Sequence, residues 1–263
     1  MPVEPTLQIV VPMAGRGSRF ALAGHVLPKP LLPVHGQPMI QRVIANIRPS
    51  RAHRFIFVCQ REHLQSQALQ AALKSAGPDT VIVPIDHVTE GAACTVMLAR
   101  EWIDSSAPLM IANCDQYIST PMDDYLAAMD RSGADGYIMT MTAHDPKWSF
   151  VKLSDAGWVT EVVEKRVVSH EATVGIYNFR RGADFVRAAQ RMIDAGDRTN
   201  NEFYVAPAYN HMGPGVRIGH MNIGAERDGM YGLGIPDDLD HFNSLPALPV
   251  RHLTAGQEPA ALV

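Results

Sequence analysis

Five short apolar runs constrain the fold of this chain more than any other feature of its sequence. They lie at 7–12, 55–59, 80–84, 108–112 and 136–141. The runs are too short for helices and lack polar alternation, as expected for strands buried on both faces of a parallel sheet. Segments with helical periodicity, at 38–47, 61–76 and 91–102, separate the first four runs. Because strands that alternate with helices form right-handed βαβ crossovers, this half is predicted to be a doubly wound α/β sheet.

The second half of the chain has shorter strand-like pieces followed by one helical pattern. The pieces lie at 149–153, 159–163 and 173–179, and the helical pattern spans 182–195. A chain of 263 residues that is 46% hydrophobic can bury a full core, and single α/β domains of this size are common. We therefore expect a single α/β domain at 1–245 with a doubly wound, mixed and mostly parallel sheet, built from halves at 1–142 and 143–245.

The last residues, 246–263, differ in composition from the rest of the chain. They are rich in Pro and Ala and have no periodicity. Such a composition predicts a tail that is poorly ordered or docked as a loop.

The charge balance and the apolar pattern exclude several classes of partner. The chain has 27 acidic and 23 basic residues, so it lacks the positive excess that binding to nucleic acid or to an anionic membrane surface requires. No uninterrupted apolar run approaches the roughly 18 residues of a membrane span, and the N-terminus lacks the pattern of a signal peptide. We expect a cytoplasmic protein with small-molecule partners; the sequence leaves its oligomeric state open, a homo-oligomer included.

A glycine-rich segment, MAGRGSRF at 13–20, directly follows the first apolar run, where the carboxyl end of a parallel sheet opens into its ligand crevice. Gly15 and Gly17 allow a tight turn with bare N–H groups for phosphate oxygens, and Arg16 and Arg19 supply positive charge. Phe20 stands where a dinucleotide fingerprint needs a third glycine, and the Walker A pattern is absent. The segment is either an anion cradle or a tight turn with two solvated arginines.

A single lysine between two prolines follows in VLPKPLLPV at 26–34. The prolines restrict the backbone on both sides of Lys29 and limit where its ammonium can reach. This rigid presentation suggests a functional lysine; the alternative is an ordinary proline-rich connection with a solvated side chain.

Together, PMAGRGSRF, PKPLLPV and GQPMI at 36–40 resemble the signature of the sugar-phosphate nucleotidyltransferases, which have relatives that make CDP-choline. The resemblance implies a Rossmann-like nucleotidyltransferase fold, also described as GT-A-like. It implies that the chain binds a nucleoside triphosphate with Mg²⁺ and transfers a nucleotidyl group to a small phosphorylated acceptor. A sugar 1-phosphate is the first choice of acceptor, and phosphocholine with CTP is the alternative. The implied triphosphate contacts are Ala14, Gly15, Arg16, Gly17, Arg19 and Lys29, of which Arg19 and Lys29 would be catalytic.

Asp115 is the candidate metal ligand. It follows the fourth apolar run and should face the same crevice as the glycine-rich segment, and Mg²⁺ often uses only one or two carboxylates. The resemblance gives the corresponding aspartate this role; the alternative is an aspartate that caps a turn. The position of the family's second metal carboxylate aligns with Gly232, which has no carboxylate. Either another carboxylate substitutes, or Asp115 holds the metal together with phosphates and water, or the protein has lost catalysis. Asp237 and Asp238 are more simply read as charges at a helix N-terminus.

The segment DHVTEGAACTV at 86–96 matches the part of the family that approaches the nucleobase. Asp86, Glu90 and Gly91 are therefore candidates for the base site, and Gly91 is expected to begin a helix. For Asp86 and Glu90, an ordinary position on the surface explains the sequence equally well.

The acceptor side is predicted from VVEK at 162–165 and from ATVGIY at 172–177. These segments resemble those that meet the sugar and its phosphate in the family. Lys165 would align the acceptor as a third catalytic residue, and Glu164, Gly175 and Glu202 would bind it. A hairpin with a surface ion pair is the alternative for Glu164 and Lys165.

Two other functions compete with nucleotidyl transfer. A glycosyltransferase of similar architecture would hold its metal through a DxD motif, but Asn113 stands two residues before Asp115. A nucleotide-binding module without catalysis is the second rival, and Gly232 is what suggests it.

Overall fold

The computed structural model describes residues 6–246, so the predicted tail lies outside the described residues from 247 onward. The strands, in chain order, are β1 (Leu7–Met13), β2 (Pro33–Val34), β3 (Gln37–Pro38), β4 (His53–Gln60), β5 (Val81–Ile85), β6 (Leu109–Ala112), β7 (Gln116–Ile118), β8 (Gly136–Thr142), β9 (Ser149–Leu153), β10 (Val159–Glu164), β11 (Glu171–Phe179), β12 (Ile218–Glu226) and β13 (Gly229–Gly232). The α-helices are α1 (Ser18–Leu22), α2 (Met39–Ile47), α3 (Gln67–Lys74), α4 (Ala92–Met97), α5 (Arg100–Ile103), α6 (Met122–Ser132), α7 (Gly182–Asp194) and α8 (Pro236–Ser244). Short 3-10 helices lie at Lys29–Leu31, His63–Gln65 and Ala206–His211.

One sheet runs through both halves of the described chain. Its main path is β5-β4-β1-β6-β11-β8-β12-β13-β7, and β9 and β10 extend it from β11. Five of the eight neighbouring pairs on this path are parallel, namely β5-β4, β4-β1, β1-β6, β8-β12 and β12-β13. The prediction of a mixed, mostly parallel sheet in a single domain is therefore confirmed.

Both faces of the sheet are covered, as the apolar runs predict. Along β1, Ile9 and Val11 belong to one core cluster while Val10 belongs to the other, because successive side chains of a strand point to opposite faces. Helices α2, α3, α6 and α8 contribute to the first cluster, and α4, α5 and α7 to the second. The sheet is thus doubly wound.

Two predicted helices are wrong in extent. The helix predicted at 61–76 is a 3-10 turn followed by α3, because Ser66 caps the new start and its Oγ accepts from the Leu69 amide at 3.3 Å. The helix predicted at 91–102 is two short helices, α4 and α5. They are separated at Ala99, whose backbone (φ −92°, ψ 11°) leaves the helical region. Gly91 does begin α4, as predicted.

Several elements had no prediction, among them β7, α6, β12 and β13. Two of them build the cleft described below: β13 pairs antiparallel with β7, so Gly232 lies opposite Gln116. The Leu233 amide also donates to the Asp115 carbonyl at 2.8 Å. The chain just before β7 is thereby fixed beside the chain just after β13. Within residues 6–246, no helix is both long and apolar enough to cross a membrane.

Candidate active site

A cavity of about 350 Å³ opens where β6 and β13 end and β7 begins, next to the glycine-rich segment. Four residues singled out in the sequence line it: Arg19, Asp115, Lys165 and Gly232. A second cavity of about 200 Å³ shares Asn113, Lys147 and Trp148 with the first, and Glu164 and Gly175 line it. The two cavities are neighbouring parts of one cleft between the predicted halves.

Lys29 forms an ion pair with Asp115, which lines the larger cavity. The Lys29 side chain is 19% exposed and that of Asp115 27%. Burial, the largest single effect, lowers the pKa of Lys29, but the charge of Asp115, the neighbouring Cys114 and the hydrogen bond to Asp115 together raise that pKa above its ordinary value. The proline-flanked lysine is therefore a buried ammonium that faces the predicted metal ligand.

Gly17 explains how Lys29 reaches this position. Its φ of 62° favours glycine, and a Cβ built on it would come 3.1 Å from Lys29 Cβ. The glycine-rich segment therefore packs directly on the lysine backbone. Gln60 anchors the other end of the segment, since its Nε2 donates to the Ala14 carbonyl at 2.6 Å.

Between these anchors the segment is open to solvent. Gly15 and Arg16 are exposed, and nothing lies within 4 Å of a Cβ built on Gly15. Arg19 is exposed as well and lines the cavity from α1. The segment thus leaves bare backbone and two guanidinium groups free to approach an anion.

Glu164 lies at the end of β10, and its carboxylate accepts a hydrogen bond from the Ser149 hydroxyl. Burial raises the pKa of Glu164 above its ordinary value, although Ser149 and the neighbouring Lys165 oppose this shift.

Lys165 follows Glu164 with a φ of 54°, which is uncommon for a residue other than glycine. Its Nζ lies 5.1 Å from the centre of the Tyr204 ring, within the range of a cation–π contact. The Tyr204 hydroxyl raises the pKa of Lys165, and Glu164 and Glu202 add to the effect while burial opposes it. Lys165 is therefore a positively charged group that lines the same cavity as Asp115.

Gly175 is required by space and by backbone conformation. Its φ is 84°, and a Cβ there would come 2.1 Å from Asn113 Nδ2 and 2.6 Å from Gln116 Oε1. Without a side chain at this position, both amides lie against β11.

Eight predicted site residues do not line either cavity: Ala14, Gly15, Arg16, Gly17, Lys29, Asp86, Gly91 and Glu202. Asp86 forms an exposed ion pair with Arg61, whose Nε lies 2.6 Å from Oδ1. Glu90, the other base-site candidate, pairs with Arg198 at 3.3 Å. A Cβ on Gly91 would come 2.4 Å from the Phe203 carbonyl oxygen, so close packing explains this glycine.

Sequence reasoning missed several residues that line the cleft, namely Asn113, Gln116, Lys147, Tyr204 and Asp238. Asp238 was interpreted as a helix charge, and it does lie in the first turn of α8, but it also lines the cavity. No spacing motif marks these residues, because strand pairing brings them together from distant segments.

Comparisons with known proteins agree with this geometry. A family model described as the MobA-like NTP transferase domain matches residues 9–172. The catalytic subunit beta of mannose-1-phosphate guanylyltransferase from Danio rerio is 26% identical over 181 residues, which are 66% of this chain and 49% of that protein. The bifunctional protein GlmU of Paraburkholderia xenovorans is 27% identical over 209 residues, which are 77% of this chain and 44% of that protein. The chain thus spans about half the length of the curated relatives it matches.

Solved structures share the fold. The nucleoside-diphosphate-sugar pyrophosphorylase from Vibrio cholerae superposes with a TM-score of 0.75 at 26% identity, covering 90% of this chain and 100% of that one. A UDP-glucose pyrophosphorylase in complex with UDP-glucose gives a TM-score of 0.71 at 15% identity, covering 90% and 97%; at that identity the likeness shows the fold alone. The predicted fold and the predicted resemblance are both confirmed.

Proposed function

Because the chain belongs to the MobA-like NTP transferase family, we propose that it transfers a nucleotidyl group from a nucleoside triphosphate to a sugar 1-phosphate, with Mg²⁺ as cofactor. The names of the guanylyltransferase from Danio rerio and the pyrophosphorylase from Vibrio cholerae support an acceptor of this kind. The products would be a nucleoside-diphosphate sugar and pyrophosphate.

The reaction needs no covalent enzyme intermediate and no general base. An acceptor phosphate oxygen, already anionic, attacks the α-phosphorus of the triphosphate. A new P–O bond forms, the bond to the bridging oxygen breaks, and the electron pair leaves with pyrophosphate. The protein's task is therefore to position two anions and to neutralise their charge.

The residues of the cleft divide this task between its two ends. The exposed backbone at 14–17 and the arginines Arg16 and Arg19 would bind the triphosphate, and Lys29 would stabilise the departing pyrophosphate. At the other end Lys165 would align the acceptor phosphate, with Glu164 and Gly175 beside it.

The chemistry of this end of the cleft fits a hard divalent cation. Among the described residues no cluster of three or more Cys, His, Asp or Glu side chains could hold a metal ion, and Mg²⁺ commonly binds through one or two carboxylates plus substrate phosphates and water. The Asp115 carboxylate already forms an ion pair with a cationic group, the Lys29 ammonium. Mg²⁺ held by Asp115 would supply charge neutralisation at the phosphates.

One observation carries the proposal: the buried Lys29–Asp115 pair lies in the same cleft as Arg19 and Lys165. Two anionic substrates must meet for this reaction, and the cationic side chains of Arg19 and Lys165 line the same cavity as the Asp115 carboxylate. An exposed surface pair would give no such arrangement.

Pyrophosphate release tests the proposal. The purified protein is incubated with Mg²⁺, each common nucleoside triphosphate in turn, and a panel of sugar 1-phosphates plus phosphocholine. Release that depends on a sugar 1-phosphate is the expected result. Pyrophosphate release only with phosphocholine and CTP would identify phosphocholine as the acceptor instead. Triphosphate binding without pyrophosphate release, whichever acceptor is added, would favour a nucleotide-binding module without catalysis. The base site, the cytoplasmic location and any homo-oligomer stay predictions.

A further inference from the structure

The space that a side chain at Gly232 would need lies next to the Asp238 carboxylate, in the wall of the cleft. Gly232 does not belong to the glycines with φ in the left-handed region, so its backbone conformation does not require glycine. A Cβ built on it would come 3.1 Å from Oδ2 and 3.6 Å from Cγ of Asp238. The missing side chain at 232 is therefore what leaves room for the Asp238 carboxylate.

Gly234 leaves room for Asp115 in the same way. A Cβ built there would come 2.8 Å from Asp115 Oδ2 and 3.7 Å from Lys29 Nζ. Cα atoms two residues apart are separated by at most about 7 Å. Gly232 and Gly234 are only two residues apart, and each leaves room for one carboxylate. The carboxylates of Asp115 and Asp238 therefore lie along the same part of the cleft, although the two aspartates are far apart in sequence.

The Asp238 carboxylate has one oxygen without a protein partner. Its Oδ1 accepts from Arg227 Nη2 at 3.2 Å, while its Oδ2 accepts no hydrogen bond from any residue in 6–246, and the side chain is 17% exposed. A charge at the N-terminus of α8 does not explain this position, because the adjacent Asp237 provides the same charge and is exposed to solvent. A largely buried carboxylate with a free oxygen is stabilised by a cation.

A second observation points to a ligand in this cavity. Gln116 lies opposite Gly232 and is 3% exposed, and its Nε2 has no hydrogen-bond partner within the described range of 6–246. The same cavity is lined by this amide and by both aspartates. An unpaired buried donor is costly, and phosphate oxygens are the acceptors that the proposed substrate would bring to it.

We propose that Asp238 supplies the second carboxylate to the divalent cation at Asp115, in place of a side chain at position 232. The inference rests on the proposed function, since it assumes that Asp115 binds a cation. Arg227 would hold the Asp238 carboxylate in orientation through Oδ1 and leave Oδ2 for the cation. The carboxylate then comes from the first turn of α8 instead of the end of β13.

Mn²⁺ binding measures this role without turnover. Free Mn²⁺ is followed by electron paramagnetic resonance while Mn²⁺ alone is titrated into the protein. In Asp238→Asn we expect the apparent Kd to rise about tenfold or more. In Asp237→Asn, the matched control with the same charge change in the same helical turn, we expect it to stay within about twofold because an exposed charge is screened. Circular dichroism checks that both variants are folded.

Moving the carboxylate gives the sharper test. Asp238→Ala should weaken Mn²⁺ binding, and adding Gly232→Asp to it should restore most of the affinity, because the shorter side chain at 238 frees the volume beside 232. Equal Mn²⁺ affinity in Asp238→Asn and the unaltered protein would overturn the inference and leave the proposed function standing. An unaltered protein that neither binds Mn²⁺ nor releases pyrophosphate would overturn both.

Discussion

The two ends of the cleft hold their lysines in different ways. Lys29 is largely buried and forms an ion pair with Asp115 across 86 residues of sequence. Lys165 occupies an uncommon backbone conformation after β10 and contacts the ring of Tyr204. The proposed triphosphate end is therefore held by a partly buried ion pair, whereas the proposed acceptor end depends on a loop and an aromatic contact.

This difference suggests that the two lysines affect different kinetic constants. A group that is already positioned and desolvated stabilises the charge that develops during reaction, so changes near Lys29 should lower kcat. A group at the edge of the cleft contributes mainly to holding the acceptor, so changes at Lys165 should raise KM.

The largest effect is expected for Asp115→Asn. The amide keeps the shape of the side chain but removes the charge that would hold the cation, and kcat/KM should fall about a thousandfold. Steady-state pyrophosphate release at saturating Mg²⁺ measures it. A loss of less than about tenfold would remove Asp115 from the metal site.

Lys29→Met should lower kcat about a hundredfold, since it removes the ammonium and keeps most of the side-chain volume. The KM for the acceptor should hardly change. Thermal melting of the same variant is the control, because a comparable loss of folded protein would give the lysine a structural role instead. Unchanged turnover would remove Lys29 from the mechanism.

Lys165→Met should raise the KM for the acceptor about tenfold to a hundredfold and change the KM for the triphosphate little. Tyr204→Phe serves as its companion: it keeps the ring and removes the hydroxyl that contacts the lysine, so the shift should be smaller. Equal increases in both Michaelis constants would contradict the separation of the two ends.

Glu164→Gln should alter how stability depends on pH. The pKa of Glu164 is raised in the folded state, so the folded protein binds the carboxyl proton more tightly than the unfolded chain does. The folded protein therefore loses stability as the pH rises from the ordinary glutamate pKa through the raised one. The glutamine variant lacks this loss, so its Tm relative to the unaltered protein should be higher at about pH 7.5 than at about pH 4. The opposite trend would mean that the carboxylate is stabilised in its charged form.

The smallest effect is expected for Asp86→Asn. Its ion pair with Arg61 is exposed on both sides, so the free energy of unfolding should hardly change and activity should change by less than about twofold. Unfolding in urea and pyrophosphate release measure the two. A tenfold loss of activity would instead support the predicted base site at Asp86.

The sequence predicted the first half of the fold better than the second. Short apolar runs identify β1, β4, β5 and β6, because strands buried on both faces carry a strong local signal. Strands β7 and β13 have only three and four residues, and their pairing depends on contacts between distant segments. The predicted helix at 91–102 was wrong for a related reason: its composition suits a helix, but the chain breaks at Ala99.

The same contrast applies to the candidate site. Glycines, prolines and a lysine within about twenty residues marked the triphosphate end, and the structure brings Lys29 and Asp115 together. The importance of Asp238 was not readable from its neighbours, since only the pairing of β7 with β13 brings it to the cleft. Gly232 stood out in the sequence only as a missing carboxylate, and the structure shows that Gly232 and Gly234 make room for the carboxylates of Asp238 and Asp115.

The most direct test of nucleotidyl transfer is a ³¹P nuclear magnetic resonance spectrum of the complete reaction, with the triphosphate and acceptor that support pyrophosphate release. The account predicts that the acceptor's phosphomonoester signal disappears while free pyrophosphate and two coupled diphosphate signals appear in equal amounts. Pyrophosphate or orthophosphate that accumulates while the acceptor signal persists would show hydrolysis of the triphosphate and would contradict the assignment.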